Sequence, residues 1–120
     1  MFNLNLYPKE KEILCQSAVP VDLELLGEFK EFILQMKKFV KENNNSLGLS
    51  ANQVWPYHEY PAPKVFVMVV TDNRDVQEFI NPIVQFSGPT IKHIEGCLSR
   101  PGKLYHAKRS KNCTIHYYDL

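Results

Sequence analysis

The residues with the clearest chemical potential lie in two short segments of the chain. Cys97 stands between a glycine and a leucine in segment 95–99, and a cysteine thiolate is a soft ligand suited to Zn(II) or Fe(II). Gln53 ends the upstream segment 47–53, and its side-chain amide can donate to a developing oxyanion. The two segments together predict a thiolate held beside an amide donor, an arrangement that suits a metal site with an oxyanion-binding group.

The histidines do not show an obvious set of further metal ligands. A catalytic divalent metal usually has three protein ligands. The chain has four histidines, and none forms an HxxxH pair. His93 precedes Cys97 by four residues, which would place both on one helical face, but Gly96 argues against a helix there. A Cys–His nucleophile pair built on Cys97 is conceivable, but no histidine is placed in the sequence to support it.

The composition favours one soluble, intracellular domain over residues 1–120. The net charge of +1 gives no argument for binding to nucleic acid or to an anionic membrane through bulk charge. Three cysteines, an odd number, argue for a reducing compartment, and Cys15 and Cys113 are expected in the core. No apolar run approaches the roughly 20 residues of a membrane helix.

A long amphipathic helix is predicted over residues 22–42. Apolar residues there are spaced by three and four, as on one face of a helix. Asp22 occupies the position of an N-cap, and the asparagines at 43–45 are expected to end the helix with left-handed backbone. The predicted buried face consists of Leu26, Phe29, Ile33, Met36 and Val40.

The second half of the chain reads as β-structure, so the predicted class is α+β. The sequence predicts strands at 64–71, 77–86, 104–109 and 112–119. Pro82 should lie at an edge or a bulge. Residues 87–89 are expected to turn the chain, and Ser110 with Lys111 to form the tip of a final hairpin.

Segment 95–99 reads EGCLS and segment 47–53 reads LGLSANQ. They resemble the second and first motifs of peptide deformylase, the metal amidohydrolase that removes the formyl group from N-terminal formyl-methionine. The second motif is matched in full. The first departs at Ser46, where glycine is usual, and at Ser50, where alanine is usual. Weaker similarities follow the family's order at 7–8, 13–14, 80–82, 99–102 and 118–119.

The resemblance implies roles for the matched residues. Cys97 would be a metal ligand, Gln53 would donate to the carbonyl oxygen of the formyl group, and the backbone N–H of Leu98 would be the second oxyanion donor. Glu95 would organise its motif by hydrogen bonding, and Gly48 would contact the substrate main chain. The implied substrate-binding residues are Leu47, Gly48, Glu95 and Gly96, with apolar residues near Leu47 and Leu98 accepting the methionine.

The resemblance also implies a deformylase-like fold in which the long N-terminal helix packs with mixed or antiparallel sheets. In the family, a central C-terminal helix carrying HExxH supplies two histidine ligands and the acid/base glutamate. That helix is absent from these residues, so the chain is expected to be C-terminally incomplete. Several hundred Å² of open apolar surface would cost on the order of 10 kcal/mol, so we expect either that the chain is a truncated form of a longer protein or that it repacks or self-associates to cover the gap.

The implied cofactor is Fe(II) or Zn(II), with Ni(II) as a substitute, provided that the missing histidines are supplied. The implied partners are N-formylmethionyl nascent peptides, and an association with the ribosome is implied as well. Direct binding to nucleic acid or to a membrane is not expected. The implied location is the cytoplasm of a bacterial or phage-infected cell, or an organelle. The alternative function is that of a non-catalytic relative that binds peptide or a partner protein through the retained cleft.

Overall fold

A computed structural model describes residues 3–120, in which one long helix covers part of a four-stranded sheet. The helices are α1 (Lys11–Cys15) and α2 (Leu26–Glu42), and the strands are β1 (Gly48–Ser50), β2 (Val65–Val69), β3 (Val76–Cys97) and β4 (Arg100–Tyr118). Short 3-10 turns occupy Leu23–Leu25 and Ala51–Gln53. All strand pairs are antiparallel, in the order β1–β2–β3–β4.

Helix α2 confirms the amphipathic pattern read from the sequence. Ile33, Met36 and Val40 are fully buried on its inner face. Asp22 accepts a hydrogen bond from the Glu24 N–H at 3.0 Å and so caps the preceding 3-10 turn, which is why the α-helix begins later than predicted. The helix ends at the asparagines as expected, although the first of them has extended rather than left-handed backbone.

The core lies between α2 and the first three strands. Val67 of β2 and Ile80 of β3 are fully buried, and Leu49 of β1 is 2% exposed. Phe66 and Phe79 are cross-strand partners whose rings stack with centroids 4.7 Å apart. This packing fixes β1, and with it the first motif, against the middle of the sheet.

The turns predicted at residues 87–89 and at Ser110–Lys111 were wrong, because these residues lie within the β3–β4 ribbon, the pair formed by those two strands. Residues 87–89 do not reverse the chain, and no hairpin forms around Ser110. Instead Ser87 pairs with Asn112 and Thr90 with Ser110, so a bulge with positive φ at Gly88 absorbs the extra residue. Gly88 and Pro89 are residue types that favour a local turn. The strands β3 and β4 nevertheless pair on both sides of them, and a reversal at this point would break that pairing.

The true hairpin turn of the ribbon is at residues 98–99, directly after Cys97. The ladder also shifts register between Ile80 and Ile83, which confirms the predicted bulge at Pro82. The two predicted strands at 104–109 and 112–119 are therefore one strand, β4.

Much of the ribbon is uncovered on both faces. Ile83, Phe86 and Leu104 are 61%, 70% and 74% exposed. The expectation that Cys15 and Cys113 are core residues was wrong, since all three cysteines are free and exposed. Cys113 pairs across the ladder with Phe86, which is itself exposed. The apolar neighbours of Cys113 in the sequence therefore do not bury it. Among residues 3–120, no helix has both the length and the apolar character needed to cross a membrane.

Candidate functional site

Gln53 and Cys97, which are 44 positions apart in the chain, meet at one site. The Gln53 Nε2 atom lies 3.8 Å from the Cys97 sulfur, within hydrogen-bonding range for a sulfur acceptor. Gln53 ends the 3-10 turn after β1, whereas Cys97 ends β3. The fold thus places an amide donor beside a thiol, although β1 and β3 are not neighbours in the sheet.

The orientation of the Gln53 amide is fixed from within its own segment. Its Oε1 atom accepts from the backbone N–H of Ser50 at 3.0 Å and lies 3.2 Å from the Ser50 hydroxyl. A backbone N–H can only donate, so the oxygen of the amide must face Ser50. The NH2 group therefore faces Cys97, which leaves a donor directed into the site.

Ser50 has a role that its residue type alone did not reveal. Its hydroxyl also lies 2.7 Å from the Asn52 Oδ1 atom, so Ser50 links two side chains of the 3-10 turn. Alanine, the usual residue of the family motif here, could make neither contact. The departure from the motif thus adds side-chain hydrogen bonding to the segment that orients Gln53.

Ser99 is a second residue to which sequence reasoning gave no separate role. It is 4% exposed, and its hydroxyl accepts a hydrogen bond from Gln53 Nε2 at 3.2 Å. Its carbonyl oxygen accepts from the Tyr7 N–H at 3.0 Å. Membership of the EGCLS motif was the one sequence feature that could have drawn attention to Ser99. Its contact with Gln53 could not be read from the sequence, because it depends on the fold.

Leu98 occupies the hairpin turn between Cys97 and Ser99. Within residues 3–120, no backbone hydrogen bond of the turns and loops uses its N–H as donor. The Leu98 side chain is partly buried against the core. The geometry is compatible with the role of an oxyanion donor.

Glu95 lies on the ribbon and forms an ion pair with Arg109. The carboxylate accepts from Arg109 Nη2 at 2.6 Å and from Nε at 3.0 Å. These hydrogen bonds from Arg109 lower the pKa of the Glu95 carboxyl. Glu95 pairs across the ladder with Tyr105 and Arg109 with Ile91, so the ion pair runs diagonally between the strands that present Cys97.

Gly48 lies where β1 packs closely on β2. A Cβ atom there would lie 3.2 Å from the Val67 carbonyl oxygen and 3.4 Å from the Met68 Cβ atom. The structure therefore gives the glycine a close neighbour within the sheet. Strand β1 is at an edge of the sheet, and no strand among residues 3–120 pairs with its other side.

A cleft of about 730 Å³ separates the two motifs and includes every residue of the predicted site except Glu95. Leu47 is 73% exposed at its border, and Leu104 of β4 faces the cleft from the ribbon. The site residues that line the cleft are Leu47, Gly48, Gln53, Gly96, Cys97 and Leu98. Both apolar and polar residues line it.

The described residues do not complete a metal site. Between positions 3 and 120, no group of three or more histidine, cysteine, aspartate or glutamate side chains is placed to hold a metal ion. His58 Nε2 lies 3.0 Å from Asn5 Oδ1, and His93 is in β3 together with Cys97, so their four-residue spacing is not helical. Cys97 alone offers a soft ligand, and a catalytic metal needs more.

Comparison with known proteins places this arrangement in a family. The polypeptide deformylase family matches residues 2–120. The peptide deformylase of Elusimicrobium minutum is 30% identical over 111 residues, and peptide deformylase 1 of Clostridium perfringens is 32% identical over 117 residues. These matches cover 88% and 97% of this chain, but 62% and 74% of the relatives. The chain thus spans about three fifths of the Elusimicrobium protein.

Solved structures give the same result for the fold. The crystal structure of peptide deformylase from Thermotoga maritima superposes with a TM-score of 0.82 at 27% identity, over 99% of this chain and 74% of that one. A probable peptide deformylase from Synechococcus phage S-SSM7 superposes with a TM-score of 0.74 at 20% identity, over 100% of this chain and 85% of that one. The predicted α+β, deformylase-like fold is therefore confirmed, and the chain belongs to the polypeptide deformylase family.

Proposed function

We propose that this protein acts on N-formylmethionyl peptides, as a peptide deformylase-type hydrolase in which this chain binds the peptide end and polarises its formyl group. The observation that carries the proposal is the 3.8 Å contact between Gln53 Nε2 and the Cys97 sulfur at the edge of an open cleft. An amide donor beside a thiolate is of use when a carbonyl oxygen must be held and its developing charge stabilised.

Each part of the peptide end has a matching group in the cleft. The formyl oxygen accepts hydrogen bonds from Gln53 Nε2 and from the Leu98 N–H. The methionine side chain packs against Leu47 and Leu98. The peptide backbone runs along the open edge of β1, where an extended segment can add to the sheet.

The family uses a metal ion, which supplies the activated water for hydrolysis when it is bound. Cys97 would be one of its ligands, with Fe(II), Zn(II) or Ni(II) as the expected ions. The remaining ligands and the acid/base group are not assembled by residues 3–120, so the roles derived above concern binding and polarisation. Association with the ribosome, self-association and a cytoplasmic location stay predictions.

The test compares the affinity of the protein for formyl-Met-Ala-Ser and for Met-Ala-Ser by isothermal titration. Hydrogen bonds to the formyl oxygen are each worth about 0.5–1.5 kcal/mol net, so the formylated peptide should bind roughly tenfold more tightly. Gln53→Ala should remove most of this preference and leave the affinity for Met-Ala-Ser nearly unchanged. Gln85→Ala, an exposed glutamine on the ribbon, is the matched control and should retain the preference.

Equal affinity for the two peptides would contradict the proposal. Release of formate on addition of Fe(II), Zn(II) or Ni(II), lost in Cys97→Ala and kept in Cys113→Ala, would support the hydrolase. Selective binding of the formylated peptide without metal uptake or turnover would favour the non-catalytic peptide-binding relative. The absence of a metal-binding cluster among residues 3–120 is the observation that keeps this second function open.

A further inference from the structure

The two halves of the candidate site have few direct connections. Among the strands of residues 3–120, β1, which leads to Gln53, pairs only with β2, and Cys97 lies at the far end of β3. Within residues 3–120, the hydrogen bonds between the two segments are both made by the Gln53 side chain, to Cys97 and Ser99. The side chain of Leu98 also packs against the core that contains the first segment. A flexible side chain fixes the separation of two backbone segments less closely than hydrogen bonds between backbone groups do.

Residues 5–7, which we call the strap, contact both halves through the backbone. The Asn5 N–H donates to the Gln53 carbonyl oxygen at 2.7 Å. Two positions further along, the Tyr7 N–H donates to the Ser99 carbonyl oxygen at 3.0 Å. The strap therefore spans the gap between the segment that carries Gln53 and the segment that follows Cys97.

Asn5 anchors the first end of the strap with its side chain as well. It is 7% exposed, and its Nδ2 atom donates to the carbonyl oxygens of Asn52 at 2.8 Å and Trp55 at 3.1 Å. Its Oδ1 atom lies 3.0 Å from His58 Nε2. One buried amide thus satisfies carbonyl groups on both sides of Gln53, and no smaller or apolar side chain could do so.

Tyr7 anchors the second end. The Arg100 guanidinium lies 3.6 Å from the centre of the Tyr7 ring, a cation–π contact. Arg100, the first residue of β4, also donates through Nη1 to the hydroxyl of Tyr105 on the same strand at 3.0 Å. The turn after Cys97 is therefore held to the strap by a backbone hydrogen bond and by a side-chain contact.

We propose that the strap sets the position of Gln53 relative to Cys97, and that Asn5 is a positioning residue for this site. The effect of this positioning on peptide binding rests on the proposed function. The positional claim concerns only the geometry of two side chains, so it can be tested without peptide, metal or turnover.

The experiment follows the side-chain NH2 signals of Gln53 in 15N-labelled protein, assigned by their loss in Gln53→Ala. Because the NH2 group contacts the sulfur, Cys97→Ala should shift these signals in the otherwise unchanged protein. In the Asn5→Ala background, the shift caused by Cys97→Ala should fall at least roughly twofold, as in a double-mutant cycle. A residue that contributed only to global stability would not change this coupling in a folded protein.

Asn3→Ala is the matched control, because Asn3 is an exposed asparagine two positions earlier, and the coupling there should equal that of the unchanged protein. Slow exchange of the buried Val67 amide verifies the fold of each variant.

If Asn5→Ala unfolds the chain, the test uses Tyr7→Leu instead. This change removes only the ring beneath Arg100 and should also weaken the coupling. Undiminished coupling in a folded Asn5→Ala protein, or in Tyr7→Leu in that case, would overturn the proposal. Loss of formyl selectivity with this coupling intact would count against the proposed function alone.

Discussion

At the scale of single residues, the site depends on hydrogen bonds that fix direction. Gln53 points its NH2 group toward Cys97 because Ser50 occupies its oxygen. The motif resemblance predicted that Gln53 and Cys97 act together. It did not predict Asn5 or the contact of Ser99 with Gln53, because these contacts join positions more than 40 residues apart and leave no local pattern in the sequence.

Glu78 gives a prediction about pH at the same scale. It is a buried carboxylate that accepts from Lys37 Nζ at 2.9 Å and from the Leu120 N–H at 3.0 Å. Burial alone would raise the pKa of Glu78, but the hydrogen bonds from Leu120 and Lys37 outweigh it, and the pKa lies below the ordinary 4.5. The ionised form is thus favoured by folding.

The stability contributed by Glu78 should be fully present above the unfolded pKa, near 4.5, and should be lost as the pH falls through the lower folded value. We expect the difference in unfolding free energy between the unchanged protein and Glu78→Gln to be largest at neutral pH and to shrink in acid. Urea unfolding between neutral pH and the acid limit of the folded state measures this. Lys37→Met, which removes one donor, should lose part of the same dependence. A difference that stays constant or grows in acid would be inconsistent with this account.

At the scale of elements, the end of α2 is joined to the segment that precedes the first motif by Arg74. Its Nη2 atom donates to the carbonyl oxygens of Val40, Asn43 and Ser46 at 2.8, 3.1 and 3.0 Å. The helix itself was predictable, because its apolar spacing is local. The arginine that closes its end was not, because it arrives from the turn between β2 and β3.

Arg74→Met should therefore destabilise the protein by about 1.5–3 kcal/mol, the usual range for hydrogen bonds to a charged group. The comparison variant is Lys41→Met, which removes an exposed cation from the last turn of the helix and should cost only about 0.3–1 kcal/mol. Chemical denaturation of both variants at one pH measures the difference. Equal losses would show that charge near the helix end, and not the three directed contacts, accounts for the effect.

At the scale of the whole molecule, sequence reasoning was most successful where structure is local or carried by a motif. It predicted the α+β class, the buried face of α2 and the bulge at Pro82. It failed for the β3–β4 ribbon, because the register of two long strands outweighs the turn chemistry of residues 87–89. It also placed Cys113 in the core, whereas that residue lies on an open part of the ribbon.

The fold of the whole molecule brings one amide donor and one thiol to the same cleft. The sheet carries β1 and the end of β3, and the strap joins the two backbone segments. The central claim is that this arrangement holds the formyl group of a peptide end. The carbon of that group is therefore the most direct reporter.

The decisive measurement is the 13C chemical shift of the formyl carbon in labelled formyl-Met-Ala-Ser, free and saturated with protein. In the proposed complex, Gln53 and the Leu98 N–H donate hydrogen bonds that polarise the carbonyl, so the signal should move downfield on binding and should return most of the way to the free value in Gln53→Ala. An identical shift in both proteins, or no shift when the unchanged protein is saturated, would contradict the account.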